Sequence, residues 1–261
     1  MKDVMISITK LNPESQIELA KTHYNLDEVY EWATILKSNY FDLAISKRNY
    51  LNEQLIDYLL ERGYYYNLAK RSLNLKQERI LAESNRMEVI ITLSENKNAS
   101  KTILDYLAKK YPYSHTRIAK NPSAETCTLD WIFEQNEQNE QDKNILCALA
   151  DNCKTSETVL DKLVKLKTED LKLLNTLQEK VSANTTTSEV TLQFLSWSKN
   201  PTVFRNVLNH PKTNPYTIIR IVNRFFHNRT MAEVTYPISN EEIYLIVAQR
   251  AKEYCDKNNL K

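Results

Sequence analysis

Apolar and polar residues follow a pattern that returns every 25 to 32 residues along much of the chain. An apolar residue opens each copy, and a five-residue core phrase with apolar first, fourth and fifth places closes it. The opening residues are Leu43, Leu68, Leu93, Ile118, Leu149, Val181 and Val207. The first four are spaced by 25 residues, and the later gaps are 31, 32 and 26. A period of this length indicates a repeat protein whose repeats pack on their neighbours.

The core phrase predicts an amphipathic helix, because its apolar places lie on one helix face. It occupies residues 56–60, 104–108, 129–133, 160–164, 192–196 and 218–222. The copy that opens at Leu68 fits poorly, since RILAES stands where the phrase is expected. We therefore predict an all-α fold in which each repeat holds one α-helix after a short turn-like segment.

Polar residues between the opening residue and the helix predict a turn and a helix cap. Asparagine stands three residues after the opening residue at Asn96, Asn121, Asn152 and Asn184, and His210 occupies the same place. Asparagine suits a turn because its side chain bonds to nearby backbone, so we expect a structural hydrogen bond from His210. Helix starts are predicted at Ser100, Ser156, Ser188 and Asn214, the last followed by Pro215.

The repeats predict one helical-repeat domain over residues 1–261. Residues 1–42 form an N-terminal cap or divergent repeat, residues 43–231 the repeats, and residues 232–261 a C-terminal cap helix. The low-complexity run at 134–143 and the connector at 165–180 account for the longer gaps.

Three stretches carry a family resemblance. Residues 118–122 (IAKNP) lead to Leu129 and Ile132, residues 149–152 (LADN) lead to Leu160 and Leu163, and residues 210–215 (HPKTNP) precede Ile218 and Ile221. Over residues 43–226 the chain resembles the leucine-rich repeat variant family of bacterial proteins. The resemblance implies a right-handed α-solenoid of about seven repeats, in which α-helices alternate with 3-10 segments. HEAT and armadillo proteins, with two or three helices in about 40 residues, are the next resemblance.

Composition argues against the common catalytic and cofactor motifs. Gly63 is the single glycine, whereas phosphate-binding loops and dinucleotide fingerprints need several. One class of the family binds iron and sulfur through an N-terminal cysteine cluster, but no cysteine precedes Cys127. The four cysteines form no CxxC pair and the four histidines no HExxH motif. We expect no catalytic residues, metal, cofactor or small-molecule substrate.

The opening residues contain no apolar run long enough for a signal peptide or a membrane span. We therefore expect a cytoplasmic protein without a membrane partner.

Two places of the core phrase are candidates for surface chemistry. The third place, opposite the buried face, holds Tyr58, Tyr106, Trp131, Lys162, Phe194 and Arg220. If these residues form an exposed row, the row favours binding of a partner. The alternative is that the rings pack beneath the connecting segments as a second buried layer. The second place holds Asp57, Asp105, Asp130 and Asp161. One interpretation is that these carboxylates bind a basic partner or a cation. The other is that they pair with nearby lysines or face water. Trp32 and Trp197 are expected to pack in the interior.

Charge is unevenly distributed. Residues 37–120 hold 15 Lys or Arg against 9 acids, and residues 121–199 hold 8 against 13. Residues 200–231 contain no acid and five cations, which are Arg205, Lys212, Arg220, Arg224 and Arg229. A cationic helix face with nearby aromatics suits a nucleic acid or another anionic partner, but a whole-chain charge of +2 argues against strong nonspecific binding.

The sequence thus predicts a non-enzymatic scaffold that binds a protein or peptide partner along a solenoid surface. The first alternative is a nucleic-acid-binding repeat protein that uses the basic and aromatic residues. The second is an enzyme related to HEAT-like DNA glycosylases, for which Asp130 beside Trp131 is the one adjacency to consider.

Overall fold

The computed structural model of the protein describes residues 8–138, 142–227, 245–250 and 252, and within these ranges every regular element is a helix. The α-helices are α1 Pro13–Thr22, α2 Leu26–Leu36, α3 Asn39–Ser46, α4 Glu53–Glu61, α5 Tyr65–Leu68, α6 Leu75–Glu83, α7 Met87–Glu95, α8 Lys101–Lys110, α9 His115–Lys120, α10 Thr126–Gln138, α11 Lys143–Asp151, α12 Glu157–Val164, α13 Leu171–Ala183, α14 Glu189–Leu195, α15 Pro201–Asn209 and α16 Pro215–His227. A 3-10 helix, η1, spans Pro112–Ser114, and residues 245–250 are also helical. The prediction of an all-α fold is confirmed.

The prediction of one α-helix in each repeat is wrong. Each opening apolar residue lies in a helix of its own rather than in a turn; Leu93, for example, lies in α7 and Leu149 in α11. The cause is a second apolar stripe, since Val89, Ile90 and Leu93 are all buried along α7. A repeat therefore contains a first helix, a short turn and a second helix that carries the core phrase.

The chain divides into two compact units, Met1–Arg117 and Ile118–Lys261. In the first unit each second helix contacts the next second helix, from α2 through α4 and α6 to α8. In the second unit the first helices α11, α13 and α15 contact one another in succession, and α12 contacts α14. The expected single domain over residues 1–261 stays a prediction.

The core phrase supplies much of the buried interior. In α8 it buries Leu104, Leu107 and Ala108, and in α12 it buries Leu160, Leu163 and Val164. Burying one such leucine is worth about 1.5–3 kcal/mol. Because these helices are too short to be stable alone in water, the contacts between repeats hold them.

The predicted helix caps are present. The hydroxyls of Ser100, Ser156 and Ser188 accept hydrogen bonds from the amides three residues on, at 3.3, 3.2 and 3.1 Å. Asn214 accepts from the Tyr216 amide at 2.8 Å, with Pro215 at the first helical position.

The copy that fits the phrase poorly still forms a helix, α6. Asn74 and Gln77 close a capping box at its start, and Leu81 and Ala82 are buried. The helix is therefore set by its cap and by two core residues rather than by the full phrase.

Within each unit, a carbonyl ladder joins successive repeats. Its side chains donate to backbone carbonyls of the preceding repeat. After first helices they are Arg48, Arg71 and Asn96 in the first unit and Asn152, Asn184 and His210 in the second, and Arg250 donates from within the helix at 245–250. Asn152, for example, donates through Nδ2 to the carbonyls of Ala119 and Asn121 at 2.8 and 3.1 Å. The turn asparagines thus also form the links between repeats, which spacing alone does not show.

Candidate functional site

The third-place residues of the first unit do not form an exposed row. Tyr58 is buried, and its hydroxyl donates to the Ala33 carbonyl at 2.8 Å and contacts an Asp42 carboxylate oxygen at 3.1 Å. Tyr106 is half-buried, and its hydroxyl accepts from Lys110 Nζ at 2.9 Å. For Tyr58 the structure agrees with the alternative of a buried ring, because its hydroxyl has partners inside the fold.

Asp42 is the centre of a polar cluster that sequence patterns did not indicate. Its fully buried carboxylate accepts from Arg62 Nε at 2.9 Å and also contacts the Tyr58 hydroxyl. Burial raises the pKa of Asp42, although both hydrogen bonds oppose that shift, and burial likewise raises the pKa of Tyr58. Arg62 also donates to the Lys37 carbonyl at 3.0 Å, where α2 ends in a left-handed residue. These contacts fix the end of a helix, which makes the cluster structural.

The second unit does expose third-place residues on successive second helices. Trp131 on α10 is half-buried, whereas Phe194 on α14 is 44% exposed. The Lys165 ammonium lies 5.9 Å from the centre of the Phe194 ring. Lys162 instead turns toward α10, where Nζ lies 5.3 Å from the Phe133 ring centre and 3.6 Å from a Glu137 carboxylate oxygen.

Trp197 belongs to the same region, although it was expected to pack in the interior. Its side chain is 57% exposed, and the Arg220 guanidinium lies 4.9 Å from its ring centre. Arg220 is held there by donating to Ser196 Oγ at 2.6 Å and to the Gln193 carbonyl at 3.3 Å. Trp32, by contrast, is buried against His23, with ring centres 4.4 Å apart, as expected.

We define the aromatic–cation surface as Lys165, Phe194, Trp197, Ile219 and Arg220. Ile219 is 55% exposed beside Arg220, so the surface combines apolar area with two cations. An exposed cation over an aromatic ring gains about 0.5–1 kcal/mol, which favours the observed arrangement of the side chains. The rings of Phe194 and Trp197 are thus exposed on the folded unit.

The second-place carboxylates mostly join one second helix to the start of the next. Asp130 accepts from Ser156 Oγ at 2.7 Å, Asp57 from Gln77 Nε2 at 2.8 Å, and Asp161 from Thr191 Oγ1 at 3.1 Å. Asp105 and Asp161 also pair with lysines one helical turn away, at 2.7 and 2.8 Å.

These contacts leave the carboxylates engaged in structural bonds. In the described ranges, no group of three or more His, Cys, Asp or Glu side chains is placed to hold a metal ion. The glycosylase-type site at Asp130 and Trp131 stays a prediction, and the structure shows that Asp130 accepts a hydrogen bond from Ser156.

Among the described cations of residues 200–231, Lys212 and Arg220 contact different partners. Lys212 Nζ pairs with Glu157 at 2.9 Å and donates to the Thr186 carbonyl at 3.0 Å, and Arg205 is half-buried. Arg229 and the side chain of Arg224 lie outside the described residues. Of this set, Arg220 is the cation that meets an exposed aromatic ring.

The predicted structural role of His210 is confirmed. Nε2 lies 3.0 Å from the Asn184 carbonyl, and Nδ1 accepts from the Lys212 amide at 3.2 Å. The ring therefore carries its proton on Nε2 and is neutral. Burial is the largest cause that lowers the pKa of His210, and the nearby charges of Lys212 and Arg250 lower it further.

Comparisons of the chain with protein-family models, with curated proteins and with solved structures found no match. Among the described helices, none has the length and apolar character needed to cross a membrane.

Proposed function

We propose that the protein is a non-enzymatic interaction scaffold, a helical solenoid that binds a protein or peptide partner through the aromatic–cation surface. The observation that carries the proposal is the exposure of Phe194 and Trp197 beside Lys165 and Arg220. Aromatic and arginine side chains dominate binding energy at protein interfaces, because they bury a large area with little loss of freedom.

Contacts within each compact unit support the solenoid part of the proposal. Within each unit, helices contact the helix two positions on, and carbonyl-ladder bonds recur between successive repeats. Two helices in a repeat are a feature of HEAT proteins, whereas the leucine-rich repeat variant resemblance implies one. We therefore favour HEAT-like stacking, and we retain the right-handed superhelix and the count of about seven repeats as parts of the proposal.

A paired capture experiment tests the scaffold function. The tagged full chain and its Phe194→Ala/Trp197→Ala variant are incubated with lysate of the native cell, with and without nuclease, and bound proteins are quantified by mass spectrometry. We expect a protein that survives nuclease and is depleted at least about tenfold by the variant, which corresponds to about 1.4 kcal/mol.

Leu171→Ala is the matched control, since it also removes an exposed apolar side chain from the second unit. The control retains the partner if the surface is specific. Equal capture by all three proteins, at unchanged helical circular dichroism, contradicts the scaffold proposal for this surface.

Nucleic-acid binding is the second candidate, and the contact between Arg220 and Trp197 favours it, because cations next to exposed rings also suit base stacking. Capture that disappears with nuclease supports this candidate instead. The ion pair of Lys212 with Glu157 argues against a wider phosphate-binding face.

A further inference from the structure

A cleft of about 570 Å³ lies in the first unit, far along the sequence from the aromatic–cation surface. It is formed where the end of α1 and the start of α2 face the end of α3 and the residues after it. The described residues that line it are Lys21, Tyr24, Leu26, Ala44, Lys47, Arg48, Asn49 and Tyr50. Its volume lies within the range of about 300–1,000 Å³ that small-molecule sites occupy.

The described lining carries three positive charges and no carboxylate. Lys21 and Lys47 are exposed, and their side chains make no ion pair or hydrogen bond with the described residues. Arg48 is held in place by the carbonyl ladder, through 3.0 and 2.7 Å bonds to the carbonyls of Ala20 and His23. Because carbonyl partners do not neutralise a guanidinium, the cleft combines one fixed cation with two mobile ones, which favours an anionic ligand.

Two tyrosines give the cleft aromatic faces. Tyr24 is 89% exposed and Tyr50 is 72% exposed, so both rings are open to solvent. The Tyr24 ring stacks on His23, with ring centres 5.3 Å apart and an angle of 27° between the planes, which orients it. Exposed rings beside cations suit a ligand that has both a flat ring and a negative charge, because the ring stacks while the charge is paired.

We propose that this cleft binds a nucleotide, with the phosphate at Lys21, Lys47 and Arg48 and the base against Tyr24 or Tyr50. The nucleotide is either a free mononucleotide or one unit of a single-stranded nucleic acid, since both present the same base and phosphate. A simple carboxylate or inorganic phosphate would use the cations alone and leave both rings without a role.

Calorimetric titration of the full chain at low salt tests the proposal. The probes are adenosine 5′-monophosphate, adenosine, inorganic phosphate and a single-stranded oligoadenylate. We expect saturable binding of the mononucleotide at one site, and at least about tenfold weaker binding of adenosine and of phosphate, because each keeps half of the contacts. If the oligoadenylate binds more tightly than the mononucleotide after correction for its number of nucleotides, the site is assigned to single-stranded nucleic acid. If it binds equally or more weakly, the site is assigned to the free nucleotide.

Variants identify the residues. Lys21→Gln/Lys47→Gln is expected to weaken mononucleotide binding at least about tenfold and to reduce its salt dependence. Tyr24→Ala or Tyr50→Ala is expected to weaken it by about five- to 150-fold, the range for loss of one stacking contact. Lys76→Gln/Lys101→Gln removes the same charge from exposed sites of the same unit, and Tyr40→Ala removes an exposed ring, so both controls are expected to bind like the wild type.

Three results overturn the proposal. One is the absence of saturable binding of either nucleotide probe. Another is that inorganic phosphate binds as tightly as the mononucleotide, because the tyrosine rings then contribute nothing to binding. The third is a cleft variant that binds like its control, with helical circular dichroism unchanged in both.

Discussion

At the residue scale, the turn asparagines serve as two-sided connectors. The amide of Asn152 donates to two carbonyls of the preceding repeat, while its oxygen accepts from the Lys154 amide at 3.0 Å. Asn184 repeats the arrangement, with Nδ2 bonds of 2.9 and 3.0 Å and an Oδ1 bond of 3.0 Å. A buried amide is costly unless its donors and acceptors are paired, and here both sides are paired.

Asn152→Asp is expected to destabilise the protein by at least about 3 kcal/mol. The substitution replaces the donating amide with a carboxylate that faces two carbonyl oxygens in a buried position. Asn175→Asp is the control, because it introduces the same charge at an exposed site. Urea unfolding followed by circular dichroism measures both, and equal midpoints would show that the ladder contributes little.

His210 makes stability depend on pH. Its pKa is lowered in the fold from an ordinary value of 6.5, mainly by burial. Protonation therefore opposes folding: the full stability is present above pH 6.5 and is lost as the pH falls from there through the lowered pKa. The loss has a limiting slope of about 1.4 kcal/mol per pH unit for one proton.

His210→Asn is expected to keep the stability at pH 7.5, since asparagine is the ladder residue of the two preceding repeats, and to reduce the loss at acid pH. Urea midpoints between pH 7.5 and pH 5 check this. His115, whose pKa burial also lowers, remains in the variant and leaves part of the loss. An unchanged acid loss would exclude His210 as a contributor.

At the element scale, the predictable helices are those with a strong amphipathic phrase and a serine cap, such as α8 and α12. Their first helices were missed because Leu93 and Leu149 were assigned to turns, although apolar residues precede them at helical spacing. Helix α5 has four residues and depends on its neighbours, so local pattern does not reveal it. The links between repeats were also missed, since hydrogen bonds such as Asp130 to Ser156 are tertiary.

Ser156→Ala is expected to cost about 1–2 kcal/mol, because the hydroxyl both caps α12 and donates to Asp130. Ser188→Ala provides a comparison, since the Ser188 hydroxyl caps α14 and contacts Thr191 of the same helix. A double-mutant cycle of Ser156→Ala with Asp130→Ala, followed by urea unfolding, isolates the link between helices. A coupling energy near zero would mean that Ser156 acts only as a cap.

At the scale of the whole molecule, one sequence position has different roles in different repeats. The third place of the core phrase is buried and hydrogen-bonded at Tyr58 but exposed at Phe194. Helical periodicity placed both residues opposite the main core. It gave no indication of the contact between the Tyr58 hydroxyl and the buried Asp42 carboxylate. The cleft of the first unit was also missed, because it forms where α1 packs on α3, a tertiary contact that the repeat pattern does not show.

This difference predicts that stability and binding respond to separate substitutions. Tyr58→Phe is expected to cost about 1–3 kcal/mol, because the Ala33 carbonyl and the buried Asp42 both lose a partner. Phe194→Ala is expected to cost less than about 1 kcal/mol, since the ring is 44% exposed, yet to weaken partner capture. Urea unfolding and capture are measured on both variants. If Phe194→Ala instead unfolds the protein, the ring belongs to the core and the aromatic–cation surface is not a binding site.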